Sequence, residues 1–206
     1  MRRYLAVAMG PINYGQADLS RVLNPAPSPP ADGSSAAVAA VFRAGDSGTE
    51  LLFIQRASKD SDPWSGHMAF PGGRTDRTDR DSHHTAERET LEEVALDLTN
   101  AVRLGSLDDL EPGRHLTAVH AHAYWLSGPL PELTPNYEVS ETIWVPLSTL
   151  ADPSRFIDYY YQASDSTWPG IQLDKAQHVV WGLTLRFLAD LYQRLNIDFI
   201  ALRPFP

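Results

Sequence analysis

"AFPGGRTDRTDRDSHHTAERETLEEVALDL", residues 69–98, decides how this chain of 206 residues is read. A Pro-Gly-Gly turn leads into aspartates spaced by arginines, and these lead into a run of good helix formers carrying Glu89, Glu92 and Glu93. Ser82 to roughly Leu96 is predicted to be helix, with Asp81 or Ser82 as N-cap, because such side chains satisfy the free amides of a first turn. At about 100° per residue the three glutamates fall in one sector, while Leu91, Val94, Ala95 and Leu98 gather on the far side. Taken alone, that spacing favours an amphipathic helix with a wetted acidic face. The Gly72-Gly73 pair shifts the balance, since two glycines let the backbone approach a ligand closely, which a surface helix does not need. Like charges at i, i+3 and i+4 repel by roughly a few tenths of a kcal/mol per pair. A divalent cation turns that repulsion into coordination, because hard cations take oxygen ligands, commonly one or two carboxylates together with substrate phosphates.

Composition narrows the chemistry. With no cysteine, the chain has no disulfide, thiolate metal site or cysteine nucleophile, so any metal is held by oxygen or imidazole. A formal charge of −9 argues against a protein that grips nucleic acid, although a metal still allows local phosphate binding. At 43% hydrophobic residues the length suits one core and one domain. No apolar stretch reaches bilayer length, and "MRRYLAVAMGPINYG" (residues 1–15) has only a short apolar run, so no membrane association and no signal peptide are expected, and the expected location is cytoplasmic.

The segment "NPAPSPPADGSS" (residues 24–35) holds four prolines and little to bury. Residues 1–35 therefore read as an N-terminal arm and Pro-rich linker, and residues 36–206 as the domain. "AAVAAVF" (36–42) and "LLFIQR" (51–56) are apolar runs of strand length around a turn-forming stretch, which predicts a hairpin in a largely buried sheet. Beyond the acidic helix, residues 101–110 and 115–128 read as strands, and residues 142–150 as a strand entering a helical turn. Lys175 to Leu195 reads as a second long helix from its apolar spacing. Strands interleaved with helices give an α+β fold, an α/β/α sandwich whose helices cover a mixed sheet.

The stretch from Gly73 through "RETLEEVAL" (88–96) resembles the Nudix box: a glycine, an acidic spacer, then Arg-Glu and Glu-Glu pairs two residues apart. Together with "LLFIQRASKD" (51–60), "WSGHMAFPGGR" (64–74) and "VVWGLTLRF" (179–187), it is similar to the coenzyme A pyrophosphatase branch of that family. The resemblance spans about residues 36–195. Four features depart from the pattern. Asp79 or Asp81 stands in for a spacer glutamate. Ala95 replaces a helix-ending glycine, so that either the helix continues or a left-handed residue is tolerated. Glu87 replaces an aliphatic residue and is expected to matter little. Residues 57–66 are one longer than the branch pattern and lack its middle arginine, Lys59 being the nearest cation, which bears on coenzyme A more than on hydrolysis.

The resemblance implies a Nudix-type mixed β-sheet flanked by helices and metal-dependent hydrolysis of a nucleoside diphosphate linked to another moiety. The implied small-molecule nucleotide substrate is coenzyme A or a derivative, and the implied cofactor is Mg²⁺ or Mn²⁺. Gly73, through its carbonyl, and Glu89, Glu92 and Glu93 are the implied metal ligands, with Glu89 or Glu93 also receiving the water's proton. Arg88 orients these glutamates, and Arg56 and Arg74 are the implied substrate contacts. Glu138 and Glu141 precede a strand where the family often has a carboxylate reaching the metals, and Glu141 is weighed as a further base against ordinary loop charge. His120 and His122 share a strand face and read as packing, as does Trp64 beside its turn. Tyr159, Tyr160 and Tyr161 read as part of an irregular segment suited to a substrate lid. A homodimer is the expectation from analogy. The rival readings are a pyrophosphatase of nucleoside diphosphate sugars such as ADP-ribose, and a non-catalytic nucleotide-binding module; modules of that kind usually lack one of the paired glutamates, all of which are present here.

Overall fold

The computed structural model describes residues 10–25, 29–31, 33–58, 65–111 and 118–197. β1 (Ala36–Gly45) and β2 (Gly48–Arg56) form the expected antiparallel hairpin, in which Gly45 faces Gly48 across a two-residue turn. Nearly every side chain along both strands is buried, so both faces of the sheet need cover. On one face, Ala37, Ala39, Val41, Leu52 and Ile54 pack with Ala86 and Val94 of helix α2 (Ser82–Val94). On the other, Ala40, Phe42, Leu51 and Phe53 join a larger core. That core also takes residues from α1 (Gln16–Val22), α3 (Leu147–Leu150) and α4 (Gly182–Arg194).

The main sheet has seven strands in a mixed arrangement. β3 (Met68–Ala69), β2, β1, β6 (Val119–Trp125) and β5 (Val102–Ser106) follow in that order. β4 (Gly72–Arg74) pairs with β1, and β7 (Val139–Pro146) pairs with β2. Among the described strands only β1 and β6 run parallel, and α2 lies in the crossover between them. A second, antiparallel sheet holds β8 (Phe156–Tyr161), β9 (Ser166–Gln172) and β10 (Val179–Trp181). The α+β sandwich is as expected. Among the described residues, no helix is long and apolar enough to cross a membrane.

Three local readings differ. Packing begins before Ala36: Ile12, Leu19 and Leu23 lie in the main core, Asn24 bridges to Ser106, and Tyr14 donates to the Leu195 carbonyl. Leu19 and Leu23 supply an apolar stripe that the proline-rich stretch after them obscured. The last helix starts at Gly182, because Val179, Val180 and Trp181 pair with β9 instead of continuing a helical pattern. Tyr159, Tyr160 and Tyr161 lie in the regular strand β8, whose partly exposed faces leave no clear apolar alternation to read.

The histidines read as packing do pack. His122 is buried between Ser82 Oγ, 2.8 Å from its Nε2, and Ser106 Oγ, 3.1 Å from its Nδ1, and it stacks on His83 at 3.7 Å. A neutral imidazole has one donor and one acceptor nitrogen, and hydroxyls satisfy both. Burial, then the nearby His83 and His120, push His122 down to about 2. A histidine held neutral in the fold adds stability that is complete above its unfolded value of about 6.5 and is lost as pH falls below it. Acidification from pH ~6.5 to ~5 is therefore expected to charge His122 preferentially in the unfolded chain. His122→Gln should make thermal stability measured over that interval fall less steeply with acid than in the parent.

Candidate active site

β4 lies on β1 with Gly72 opposite Val38 and Gly73 opposite Ala37. At φ +151° Gly72 adopts a conformation that side chains rarely take, and a Cβ there would collide with the Ala37 carbonyl and Val38 backbone. A Cβ on Gly73 would lie 2.5 Å from the Glu89 carboxyl carbon. The two glycines thus let α2 set its acidic side chains directly on the strand backbone.

The helix starts at Asp81, whose carboxylate accepts from the His84 amide at 2.8 Å, and ends at Ala95 in the left-handed region (φ 56°), whose N–H donates to the Leu91 carbonyl. The left-handed alternative for Ala95 is the one adopted. The apolar side expected for α2 is only half right: Val94 and Leu98 are buried, but Leu91 is 50% exposed and Ala95 is exposed too, whereas Thr85, Thr90, Glu87 and Glu93 are buried. Much of the face packed against the sheet and glycine loop is polar, so a hydrophobic count misplaces it. Glu87 is tied to Arg103 at 2.6 Å, which gives it a packing role where little was expected.

The three glutamates are not equivalent. Glu93 is 3% exposed and accepts the Gly72 N–H at 2.9 Å. Burial pushes its carboxyl up to about 8; the Gly72 amide and the Arg56 charge oppose this, and Glu89 and Glu138 add to it. Glu89 is raised by burial, against the pull of Arg88, with Glu92 and Glu138 pushing further. Glu92 points outward and meets Arg88 Nη1 at 3.3 Å.

Arg88 organises the group. Its Nε and Nη2 fork onto Asp79 at 2.9 Å each, Nη1 reaches Glu89 at 2.9 Å, and Nη2 also donates to the Arg74 carbonyl. Asp79 has a fully buried side chain and also accepts from the Asp76 amide and the Thr85 hydroxyl. Burial would raise its carboxyl, but Arg88, Asp76 and Thr85 outweigh that and hold it well below the usual range. Of the two spacer candidates, Asp79 is the anchor of the arginine and Asp81 the helix cap.

Glu141 does not join this group. It pairs opposite Gln55, on the face of β2 away from Ile54 and α2, and its carboxylate holds Lys175 Nζ at 2.7 and 2.9 Å. A register shift skips Ser140 between the pairs Gln55↔Glu141 and Arg56↔Val139, and no sequence pattern signals such a bulge. Glu138, before it, is the carboxylate that acts on Glu89 and Glu93. Arg56 acts electrostatically on Glu93, while Arg74 offers its backbone carbonyl to Arg88 from an exposed position. Lys59 and Trp64 lie outside the described residues.

Among the described residues, no three Asp, Glu or His side chains already close into a ligand shell. Glu89 is turned to Arg88, and Glu93 to Gly72. The donor set nevertheless fits a hard divalent cation: its ligands are oxygens, a recess at Gly73 is filled by the Glu89 carboxyl, and two carboxylates are disfavoured as anions by burial and by neighbouring carboxylates.

Fold and site together define a class, an α+β sandwich in which a diglycine strand and a glutamate-bearing helix share one acidic recess. The NUDIX domain family matches residues 33–163, and the chain belongs to that family of pyrophosphohydrolases, whose members generally use divalent metal ions. The uncharacterized Nudix hydrolase NudL of Pectobacterium atrosepticum is 32% identical over 151 residues, covering 72% of this chain and 77% of that one. The mitochondrial coenzyme A diphosphatase NUDT8 of Homo sapiens is 32% identical over 138 residues, covering 65% and 58%. The chain spans only 18% of the length of one Schizosaccharomyces pombe relative. A MutT/nudix family protein from Enterococcus faecalis has the same fold, with a TM-score of 0.54 at 17% identity over 84% of this chain and 64% of that one.

Two measurements check the site's electrostatics. Asp79→Ala removes both bonds of the Arg88 fork, leaving that arginine to Glu89, Glu92 and the Arg74 carbonyl, and should cost about 3 kcal/mol in denaturant unfolding, against about 1 kcal/mol for loss of the cap in Asp81→Ala. A carboxyl raised in the fold contributes stability present below its unfolded value of about 4.5 and lost as pH rises through its folded value. Metal-free protein should therefore lose stability through Glu93 between pH ~5 and about 8. Glu93→Gln should raise the thermal midpoint at the upper end of that range and hardly change it at the lower.

Proposed function

We propose that the chain hydrolyses the pyrophosphate bond of coenzyme A or a derivative, giving 4′-phosphopantetheine and adenosine 3′,5′-bisphosphate. The observation that carries the hydrolytic reading is the buried Glu93 beside Glu89 on the Gly72-Gly73 strand, a pair of carboxylates poorly stabilised as anions without a cation. The preference for coenzyme A is supported by the name of the human relative and by the upstream sequence resemblance.

In this reading Glu89, Glu92, Glu93 and the Gly73 carbonyl hold Mg²⁺ or Mn²⁺. When bound, the ion neutralises charge on phosphate oxygens and lowers the pKa of an attacking water. Arg88, fixed by Asp79, positions Glu89 and is a positioning residue. Arg56, whose charge acts on Glu93, is the phosphate contact in this reading, and Glu89 or Glu93 takes the proton from water. Glu138 replaces Glu141 as the further carboxylate in reach of that proton, because it and not Glu141 shares the field of the helix glutamates.

The test is incubation of the pure protein with Mg²⁺ or Mn²⁺ and coenzyme A, ADP-ribose, NADH, dinucleoside polyphosphates or nucleoside triphosphates. Release of 4′-phosphopantetheine is the expected result; preferential cleavage of ADP-ribose would move the assignment to nucleoside diphosphate sugars. Glu93→Gln should lower kcat by about two orders of magnitude or more while the fold persists, and Glu138→Gln by about one. Glu141→Gln should leave kcat near the parent value, and a collapse there would return Glu141 to the site.

A further inference from the structure

We infer that the aromatic face of the second sheet is a subsite for the purine ring of the nucleotide. The inference takes its ligand class from the nucleotide reading above but rests on different residues. Tyr159 and Tyr161 alternate on β8 and so share a face, with Trp168 opposite Tyr159 on β9. The Trp181 ring of β10 lies 5.0 Å from that of Tyr159, 4.6 Å from Tyr161 and 6.0 Å from Trp168. Gly170 permits the convergence, since a Cβ there would lie 3.3 Å from Tyr159 Cβ and 2.9 Å from Val179 Cγ1. His67, just before β3, meets Tyr161 and Trp181 edge-on.

A packing cluster would bury these rings, yet all five are only partly buried, and the neighbouring Tyr160 is 57% exposed. The interplanar angles of these contacts run from 43° to 75°, so none of these pairs is a parallel stack. Beside them opens a cleft of about 490 Å³ whose lining includes Ser65, His67, Tyr159, Tyr161 and Gln162. It is a wide, open groove, against whose wall a flat ring can lie. Tyrosine faces stack on a flat heterocycle, and the amide of Gln162 and hydroxyl of Ser65 can pair with its polar edge. An extended aliphatic arm would use neither property.

The cleft is also placed to serve the carboxylate recess. His67 precedes Gly72 by five residues, a span of at most about 18 Å. The His67 carbonyl accepts the N–H of Arg56, whose charge acts on Glu93. In this assignment the diphosphate lies over the Gly73 strand and the purine end on the rings, with this short segment joining the two.

Calorimetric titration of the full chain with ADP and with inorganic pyrophosphate, each with Mg²⁺ present, tests the assignment. ADP should bind more tightly, Tyr161→Ala should weaken ADP by about tenfold or more while leaving pyrophosphate unchanged, and Tyr161→Phe should restore the difference. In the parent protein, nuclear Overhauser contacts from purine protons to tyrosine or tryptophan ring protons are expected, and they judge the site even if the alanine variant fails to fold. ADP binding no tighter than pyrophosphate, an unaltered ADP affinity in a folded Tyr161→Ala, or absence of those contacts would overturn it. Ring-dependent ADP binding without hydrolysis of any diphosphate would instead defeat the hydrolytic reading and leave the subsite standing.

Discussion

Everything near the acidic recess depends on the absence of two β-carbons. Gly72 can lie across β1 only because nothing projects from it toward Ala37 and Val38, and Gly73 leaves the volume that the Glu89 carboxyl fills. With side chains at both positions α2 would have to lift from the sheet, separating Glu93 from the Gly72 amide and parting Ala86 and Val94 from the strand core. Close approach of helix to strand is thus a backbone property that fixes where charge is buried.

The burial of charge sets up an uneven electrostatic field within a few residues. Asp79 is surrounded by donors and stays anionic, and it spends that charge on fixing Arg88. Glu89 and Glu93 have burial and neighbouring carboxylates against them, with Arg88, Arg56 and one amide in partial compensation. Carboxylates of one helix and its leading loop are therefore driven in opposite directions, one group serving as a rigid anchor and the other left responsive to a cation.

Much of this was legible in the sequence, and the reasons for the rest are local. The β1–β2 hairpin shows as two apolar runs around a turn, and α2 with its Arg-Glu and Glu-Glu pairs shows as a motif. The polar side that α2 turns inward was not legible, because Thr85, Thr90 and Glu93 are buried by contacts with the loop and sheet that hydropathy does not register. Choosing between Asp79 and Asp81 required the direction of the Arg88 fork, and choosing between Glu138 and Glu141 required a one-residue bulge. β10 was hidden inside an apolar run that continues into α4 across Gly182, and β8 inside a run of tyrosines partly exposed on both sides. Pairing partners, absent from a linear pattern, decide both.

The abrupt stop of α2 at Ala95 has a consequence for which ion the recess can accept. Glu89, Glu92 and Glu93 all lie in the last two turns, where the aligned peptide dipoles end in partial negative charge. Backbone and side chains there repel anions together. A bare phosphate finds in this helix end the reverse of the amide-lined cradle offered by a helix start, so an anionic ligand can settle there only behind a positive counterpart.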